Sequence, residues 1–214
     1  RPNDPVFGAS AGRFTVTRVP AEADATAALA AAAPPPPAVT FERIRNAEQE
    51  PQNWLTYAGS LAGLRHSALI DLTPENVKDL ELAWLRQMPG NVRIQATPIV
   101  DRSVMYTVQP PSDVIALDAA TGRQRWIYSH KPLASARASG GGGRPNRGLA
   151  ILGDTVYLGT IDAHLLAIDA YSGKLRWDTV VANAADPACG GRLCYVITHA
   201  PLVLNGKIIV GVGG

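Results

Sequence analysis

Little in this sequence announces a familiar catalytic class. Its 214 residues include two cysteines and four histidines. His66, His130, His164 and His199 are scattered, with no H-E-x-x-H or C-x-x-C-H spacing. That excludes the common zinc and covalent haem patterns and leaves solvated or structural histidines as the reading. No G-x-S-x-G elbow occurs, and the run from Gly140 to Gly143 lacks the following Lys-Ser/Thr and helix of a phosphate loop. Charge of one sign is also missing. Twenty basic residues face eighteen acidic ones for a net charge of +2, and no basic stripe of the kind that neutralises phosphates stands out, so nucleic acid is not an expected partner. No apolar run approaches the ~20 residues that span a bilayer, and the Ala-rich stretch from Ala27 to Ala33 ends in prolines. The chain opens on Arg1 rather than Met, without a charged and apolar leader, as expected where a leader has been removed. Cys189 and Cys194 lie in a segment rich in Gly and Pro at a separation a local disulfide could close, and two unpaired thiols fit the spacing equally.

What is present is a globular composition, 46% hydrophobic, after an unusual start. Residues 1–40 combine Ala-rich low complexity with Pro34-Pro35-Pro36-Pro37 and read as a polyproline-like tail or linker, leaving 41–214 as the folded unit. Within the latter, Thr73 is expected to cap a short helical start with Pro74 in its first position. A strand is expected to begin over Glu81 to Trp84.

The dominant signal is internal repetition. Residues 97–126 align without a gap onto 148–177 at a constant offset of 51, matching Tyr106 with Tyr157, Asp118 with Asp169, Gly122 with Gly173 and Trp126 with Trp177. A third copy, 200–214, begins at Ala200-Pro201-Leu202-Val203 and covers one strand pair. Each unit reads as short strands and tight turns. Val114 to Leu117 runs into a turn where Asp118 can hydrogen-bond the backbone and Gly122 can take positive φ. A repeat of ~50 residues with about four strands describes a β-propeller blade. The fold class is therefore all-β, a propeller of tryptophan-docked four-stranded blades, here two to three of them.

Ala116-Leu117-Asp118-Ala119-Ala120-Thr121-Gly122-Arg123-Gln124-Arg125-Trp126 and Ala167-Ile168-Asp169-Ala170-Tyr171-Ser172-Gly173-Lys174-Leu175-Arg176-Trp177 resemble the docking motif A-x-D-x-x-T-G-x-x-x-W of the quinoprotein alcohol and methanol dehydrogenases, which use pyrroloquinoline quinone (PQQ). Ser172 replaces Thr in the second copy. The motif marks a joint between blades, and looser forms occur in non-enzymatic propellers such as the outer-membrane assembly lipoprotein. Asn53-Trp54-Leu55-Thr56-Tyr57, Leu72-Thr73-Pro74-Glu75-Asn76-Val77 and Leu82-Ala83-Trp84 resemble the opening segment of these dehydrogenases. The resemblance implies an eight-bladed propeller around PQQ and a Ca²⁺ or lanthanide ion, of which this chain is the N-terminal portion.

The same resemblance nominates site residues. Asn146-Arg147-Gly148-Leu149-Ala150 is similar to the stretch whose Arg contacts the quinone, which points to Arg147. Thr198-His199-Ala200-Pro201 is similar to the stretch whose Thr binds a PQQ carboxylate, which points to Thr198. Gly213 and Gly214 match small residues just before the family's metal-binding Glu. PQQ carries three carboxylates, and the planar donor fork of Arg suits them. Two positions depart from the pattern. Gln95 stands where the family usually has Glu, and its amide can still donate to an anion. Gly141 and Gly142 stand where many members have a vicinal cysteine pair lying on one face of PQQ, and glycine lets backbone approach a flat ring. The implied function is oxidation of an alcohol by hydride transfer to PQQ with metal assistance and an Asp as general base. Electrons pass to an acceptor such as a cytochrome c, in the periplasm or outside the cell. The catalytic base and metal ligands are expected beyond this chain, so the chain alone is expected to be inactive and to need the rest of the propeller or a complementary chain. The alternative is a non-catalytic propeller scaffold for binding or assembly, which needs the tryptophans alone.

Overall fold

The computed structural model describes residues 38–88, 93–134, 145–190 and 193–213. Among the described residues, two sheets of four antiparallel strands and one strand pair make up the β-structure. The first sheet is β1 (Ile99–Asp101), β2 (Val104–Gln109), β3 (Asp113–Asp118) and β4 (Gln124–Tyr128), in that order. The second is β5 (Ala150–Leu152), β6 (Thr155–Gly159), β7 (His164–Asp169) and β8 (Leu175–Val180). Strands β9 (Leu202–Leu204) and β10 (Lys207–Ile209) pair as the start of a third unit. The repeat seen in sequence is thus a repeat of blades. Even the irregularity recurs, since the register shift between Ala116 and Leu117 reappears between Ala167 and Ile168.

Burial follows strand position. In β3, Val114, Ile115, Ala116 and Leu117 are all buried, because a central strand is covered on both faces and β-branched or compact apolar residues fill that space. In β8 every residue is exposed, and Trp177 is 42% exposed. One core joins the blades through residues such as Ile99, Tyr106, Trp126, Leu149, Val156, Leu166 and Ile168.

The docking turns explain how the blades are joined. Asp118 accepts hydrogen bonds from Thr121 N (3.1 Å) and Thr121 Oγ1 (2.8 Å) and from Arg125 Nη2 (3.0 Å). Asp169 does the same with Ser172 N (2.8 Å), Ser172 Oγ (2.8 Å) and Arg176 Nη2 (2.6 Å), so the serine serves in place of threonine. Burial would raise both carboxyls, but these Arg and hydroxyl bonds outweigh it and hold them below the usual carboxylate range. At the turn ends Gly122 and Gly173 have φ of +70° and +69°. A Cβ on Gly173 would stand 2.7 Å from Cδ2 of Trp126, so the glycine is required both by conformation and by the indole pressed on it.

Trp84 docks in the same manner on the first blade. Its Nε1 donates to the carbonyl of Ala119 at 3.0 Å, and its ring lies over Gly122. The strand expected over Glu81 to Trp84 does not form. That segment has no pairing strand among the described residues, and Leu82 and Leu85 are exposed, so its backbone has no ladder to join. The helical start at Thr73 is a turn instead. Thr73 Oγ1 accepts from Asn76 N at 3.4 Å, and a 3-10 turn follows at Val77–Asp79.

Packing reaches back into the stretch read as tail. Val39 is buried and exchanges two 2.8 Å backbone bonds with Gly153, and Thr40 caps the helix α1 (Phe41–Arg45) through Arg43 N. Arg43 then forks onto Glu50 and reaches Asp101, while Trp54 bridges Val100, so the opening segment is fastened to β1. Residues 1–37 lie outside the described residues.

Candidate functional site

Strand direction decides which residues share a face. β1 and β3 run away from one end of the blade, and β2 and β4 return to it. The lead-in to β1 and the β2–β3 hairpin are therefore at one end, and the docking turns are at the other. The second blade repeats this with the lead-in 145–149 and the β6–β7 turn. Gln95, Arg147 and Thr198 all fall on lead-ins, hence on the end away from the docking turns.

The three lead-ins lie side by side. Thr97 bridges Gly148 in parallel, with Thr97 N donating to Arg147 O at 3.1 Å, and Arg147 N donates to Thr198 O at 2.9 Å. Residues 96, 147 and 198, each 51 apart, thus face the same rim. Side chains add to this. Arg147 Nη1 donates to Thr198 Oγ1 at 3.0 Å and to Thr198 O at 3.4 Å. Arg147 is exposed, and no carboxylate pairs with it among the described residues.

Asn146 holds this Arg in place. It is 3% exposed, donates from Nδ2 to Gly159 O at 2.7 Å and accepts Gly148 N at 2.9 Å, so it fastens the chain on both sides of Arg147. The sequence pattern presents Asn146 only as context for Arg147 and does not reveal this anchoring. Its one signal is a short amide side chain near a glycine, which also fits an ordinary turn.

The other nominated residues are placed as follows. Gly213 pairs with Val196 through bonds of 2.8 and 2.9 Å, which sets it beside the Thr198 segment. His199 accepts Gly211 N on Nε2 at 2.9 Å, tying the same two stretches together. Gln95 is exposed on the neighbouring lead-in, and no hydrogen bond joins it to Arg147 or Thr198 among the described residues. Gly141, Gly142 and Gly214 lie outside the described residues. The structure thus brings together Arg147, Thr198 and the Gly213 stretch and leaves Gln95 adjacent.

The rim can bind an anion. An exposed guanidinium oriented by a hydroxyl and a carbonyl, with no carboxylate neutralising it among the described residues, offers its remaining N–H groups to an acidic ligand. That fits a three-carboxylate quinone. Among the described residues no group of three His, Cys, Asp or Glu could hold a metal ion, and no helix is long and apolar enough to cross a membrane. Cys194 is disulfide-bonded, which resolves for that residue the choice left open by spacing.

Comparison with known proteins agrees with the propeller architecture. The family model described as PQQ, glucose/ethanol/alcohol dehydrogenase, β-propeller domain, matches residues 54–213. The chain belongs to the PQQ dehydrogenase β-propeller family. It is 37% identical over 171 residues to quinohemoprotein alcohol dehydrogenase ADH IIB of Pseudomonas putida, covering 80% of this chain and 24% of that protein. It is 36% identical over 161 residues to a 1-butanol dehydrogenase (cytochrome c) of Thauera butanivorans, covering 75% and 22%. Among solved structures, a europium-containing methanol dehydrogenase superposes with a TM-score of 0.72 at 30% identity, covering 81% and 29%. This PQQ-family chain spans about a quarter of the length of the relatives it matches.

Proposed function

We propose that this PQQ-family propeller segment belongs to an alcohol dehydrogenase and supplies one arc of its cofactor rim. The observation that carries the reading is Arg147, exposed, without a carboxylate partner among the described residues, and fixed on Thr198 by a 3.0 Å bond. Arg147 and Thr198 would hold carboxylates of PQQ, with Gln95 donating from the adjacent lead-in and the Gly213-Gly214 stretch leaving room near the metal. Gly141 and Gly142 would let backbone lie against the ring. When bound, PQQ supplies an electrophilic quinone carbonyl that accepts hydride from the alcohol carbon, and a Ca²⁺ or lanthanide ion would polarise that carbonyl. The role of this chain is to bind and orient; base and metal ligands are assigned to the rest of the propeller. That remainder would also cover Leu175, Trp177 and Val180, which stand 41%, 42% and 61% exposed.

The finer assignments follow relatives and chemistry. Naming of the butanol relative as a cytochrome c enzyme supports a cytochrome c as electron acceptor. The europium-containing neighbour supports a lanthanide as one choice of metal. The Cys194 disulfide fits an oxidising compartment, in keeping with a periplasmic or secreted protein.

The test is a PQQ titration of the full-length protein with Ca²⁺ or La³⁺, read by tryptophan fluorescence. Arg147→Ala should weaken PQQ binding by about thirtyfold, the loss expected for a charge-assisted pair of ~2 kcal/mol. Absence of PQQ binding by the unmodified protein, or equal binding by the variant, would overturn the reading.

A further inference from the structure

A second cluster sits at the same end of the blades, behind the rim. Asp162, in the turn between β6 and β7, is 2% exposed, and its carboxylate is surrounded by donors. It accepts from Thr160 Oγ1 at 2.5 Å, from Leu133 N at 3.0 Å, and from His130 Nε2 at 2.9 Å to Oδ1 and 3.3 Å to Oδ2. His130 follows β4 in the preceding blade, and its side chain is 8% exposed. Burial opposes ionisation of Asp162, yet these bonds keep its carboxyl far below the usual range, so His130 Nε2 carries the hydrogen. The neighbouring groups are the His164 ring, 5.8 Å from that of His130, and Asp178, which bonds His164 Nδ1 at 2.7 Å. From β3, the Asp113 carboxyl faces the backbone of His130.

The turn that Asp162 organises is the one on which the rim hangs. Thr160 O accepts Ile197 N at 3.0 Å, immediately before Thr198. Gly159 O accepts Asn146 Nδ2 at 2.7 Å, immediately before Arg147. Thr160 Oγ1 also accepts His164 N at 3.0 Å, which closes the turn on itself. An unbroken set of bonds therefore runs from His130 through Asp162 and Thr160 to both rim segments.

We propose that Asp162 and His130 are positioning residues of the cofactor rim: their buried pair fixes the 159–163 turn, and that turn sets Arg147 against Thr198. The role toward PQQ rests on the function proposed above, whereas the positioning itself concerns this chain's own backbone. A buried carboxylate is suited to it, because removing one partner leaves desolvated groups unpaired and displaces whatever they hold.

The experiment is residue-resolved amide hydrogen exchange on the full-length protein, comparing the unmodified chain with Asp162→Asn and His130→Gln. Both variants should exchange the amides of Leu133, Ile197 and Arg147 about tenfold faster, while core amides of β3 and β6 keep their rates. The PQQ dissociation constant, measured on the same samples, should rise several-fold. Unchanged rates at Ile197 and Arg147, or an equal rise at the β3 and β6 amides showing general destabilisation, would overturn the positioning role. Should Asp162→Asn fail to fold, His130→Gln decides by the same readout, since it leaves the carboxylate in place. If the unmodified protein binds no PQQ, the proposed function fails, and the exchange pattern still decides the positioning claim.

Discussion

The indole N–H of Trp126 donates to the carbonyl of Ala170, in the next blade, at 3.0 Å, and the hydroxyl of Tyr106 donates to the same oxygen at 3.2 Å. Two aromatic donors from one blade thus converge on a single backbone acceptor of its neighbour. Burial, together with the Asp101 charge, pushes the Tyr106 phenol above its usual value, so it remains a donor at any ordinary pH.

The joint should respond in a graded way. Trp126→Phe keeps an aromatic ring and loses the hydrogen bond together with some of the packing, for a cost of about 1 to 3 kcal/mol. Gly173→Ala should cost at least as much, about 2 to 4 kcal/mol, because it adds overpacking against the indole to a strained positive φ. Urea unfolding followed at equilibrium checks both. A Gly173→Ala protein as stable as the unmodified one would show that the indole can withdraw freely.

Much of this joint is legible in the sequence, for a physical reason. Docking turns are local: Asp118, Thr121 and Gly122 lie within five residues, so their bonding can be read from spacing. The offset of 51 carries the blade count and even the strand ends. Trp84 is harder, because its own lead-in lacks the Asp and Gly of the motif. The failed strand at Glu81 to Trp84 has the same origin, since apolar alternation favours a strand only where another strand is available to pair. Arg147 and Thr198 are nominated by resemblance. Their contact, the Asn146 anchor and the Asp162 cluster depend on three lead-ins meeting in space, which no local pattern encodes.

Asn146 provides a test of the rim that leaves Arg147 itself in place. Asn146→Ala removes two hydrogen bonds of a buried side chain, leaving Gly159 O and Gly148 N unpaired, at a cost of about 2 to 3 kcal/mol in stability. PQQ affinity should fall several-fold as Arg147 loses its fixed direction. Asn146→Asp can still accept Gly148 N but sets a buried carboxylate oxygen against Gly159 O, so it should cost at least as much as alanine. Unfolding curves and PQQ titrations on the same samples separate the two effects.

Acid should loosen the fastening of the opening segment. Hydrogen bonding from Arg43, against a smaller opposing effect of burial, lowers the Glu50 carboxyl from 4.5 to about 2. Because the folded value is depressed, the stabilisation is fully present above about pH 4.5 and is lost as pH falls through about 2. Arg43→Gln should therefore lower stability near neutrality by an amount on the order of 1 to 2 kcal/mol, allowing for partial solvent screening. The difference from the unmodified protein should shrink toward zero over that acid window. A difference independent of pH would assign the effect to packing instead.

Gly159 links stability to the rim by direct contact. It lies at the end of β6, and a Cβ there would stand 2.1 Å from Cγ2 of Ile197, the residue before Thr198. Ile197 is fully buried, and its N–H is held by Thr160 O, so it cannot retreat without dragging the Thr198 segment with it. Gly159→Ala should therefore cost about 1 to 3 kcal/mol of stability. PQQ binding should weaken as Thr198 shifts away from Arg147. Pairing it with Ile197→Ala in a double-mutant cycle tests the route of the effect. Truncation to alanine removes the Cγ2 that the new Cβ would strike, so the double variant should recover part of the lost affinity even though Ile197→Ala alone is destabilising by about 2 to 5 kcal/mol. Strict additivity of the two losses would mean that the Gly159 substitution acts on the rim by some path other than Ile197.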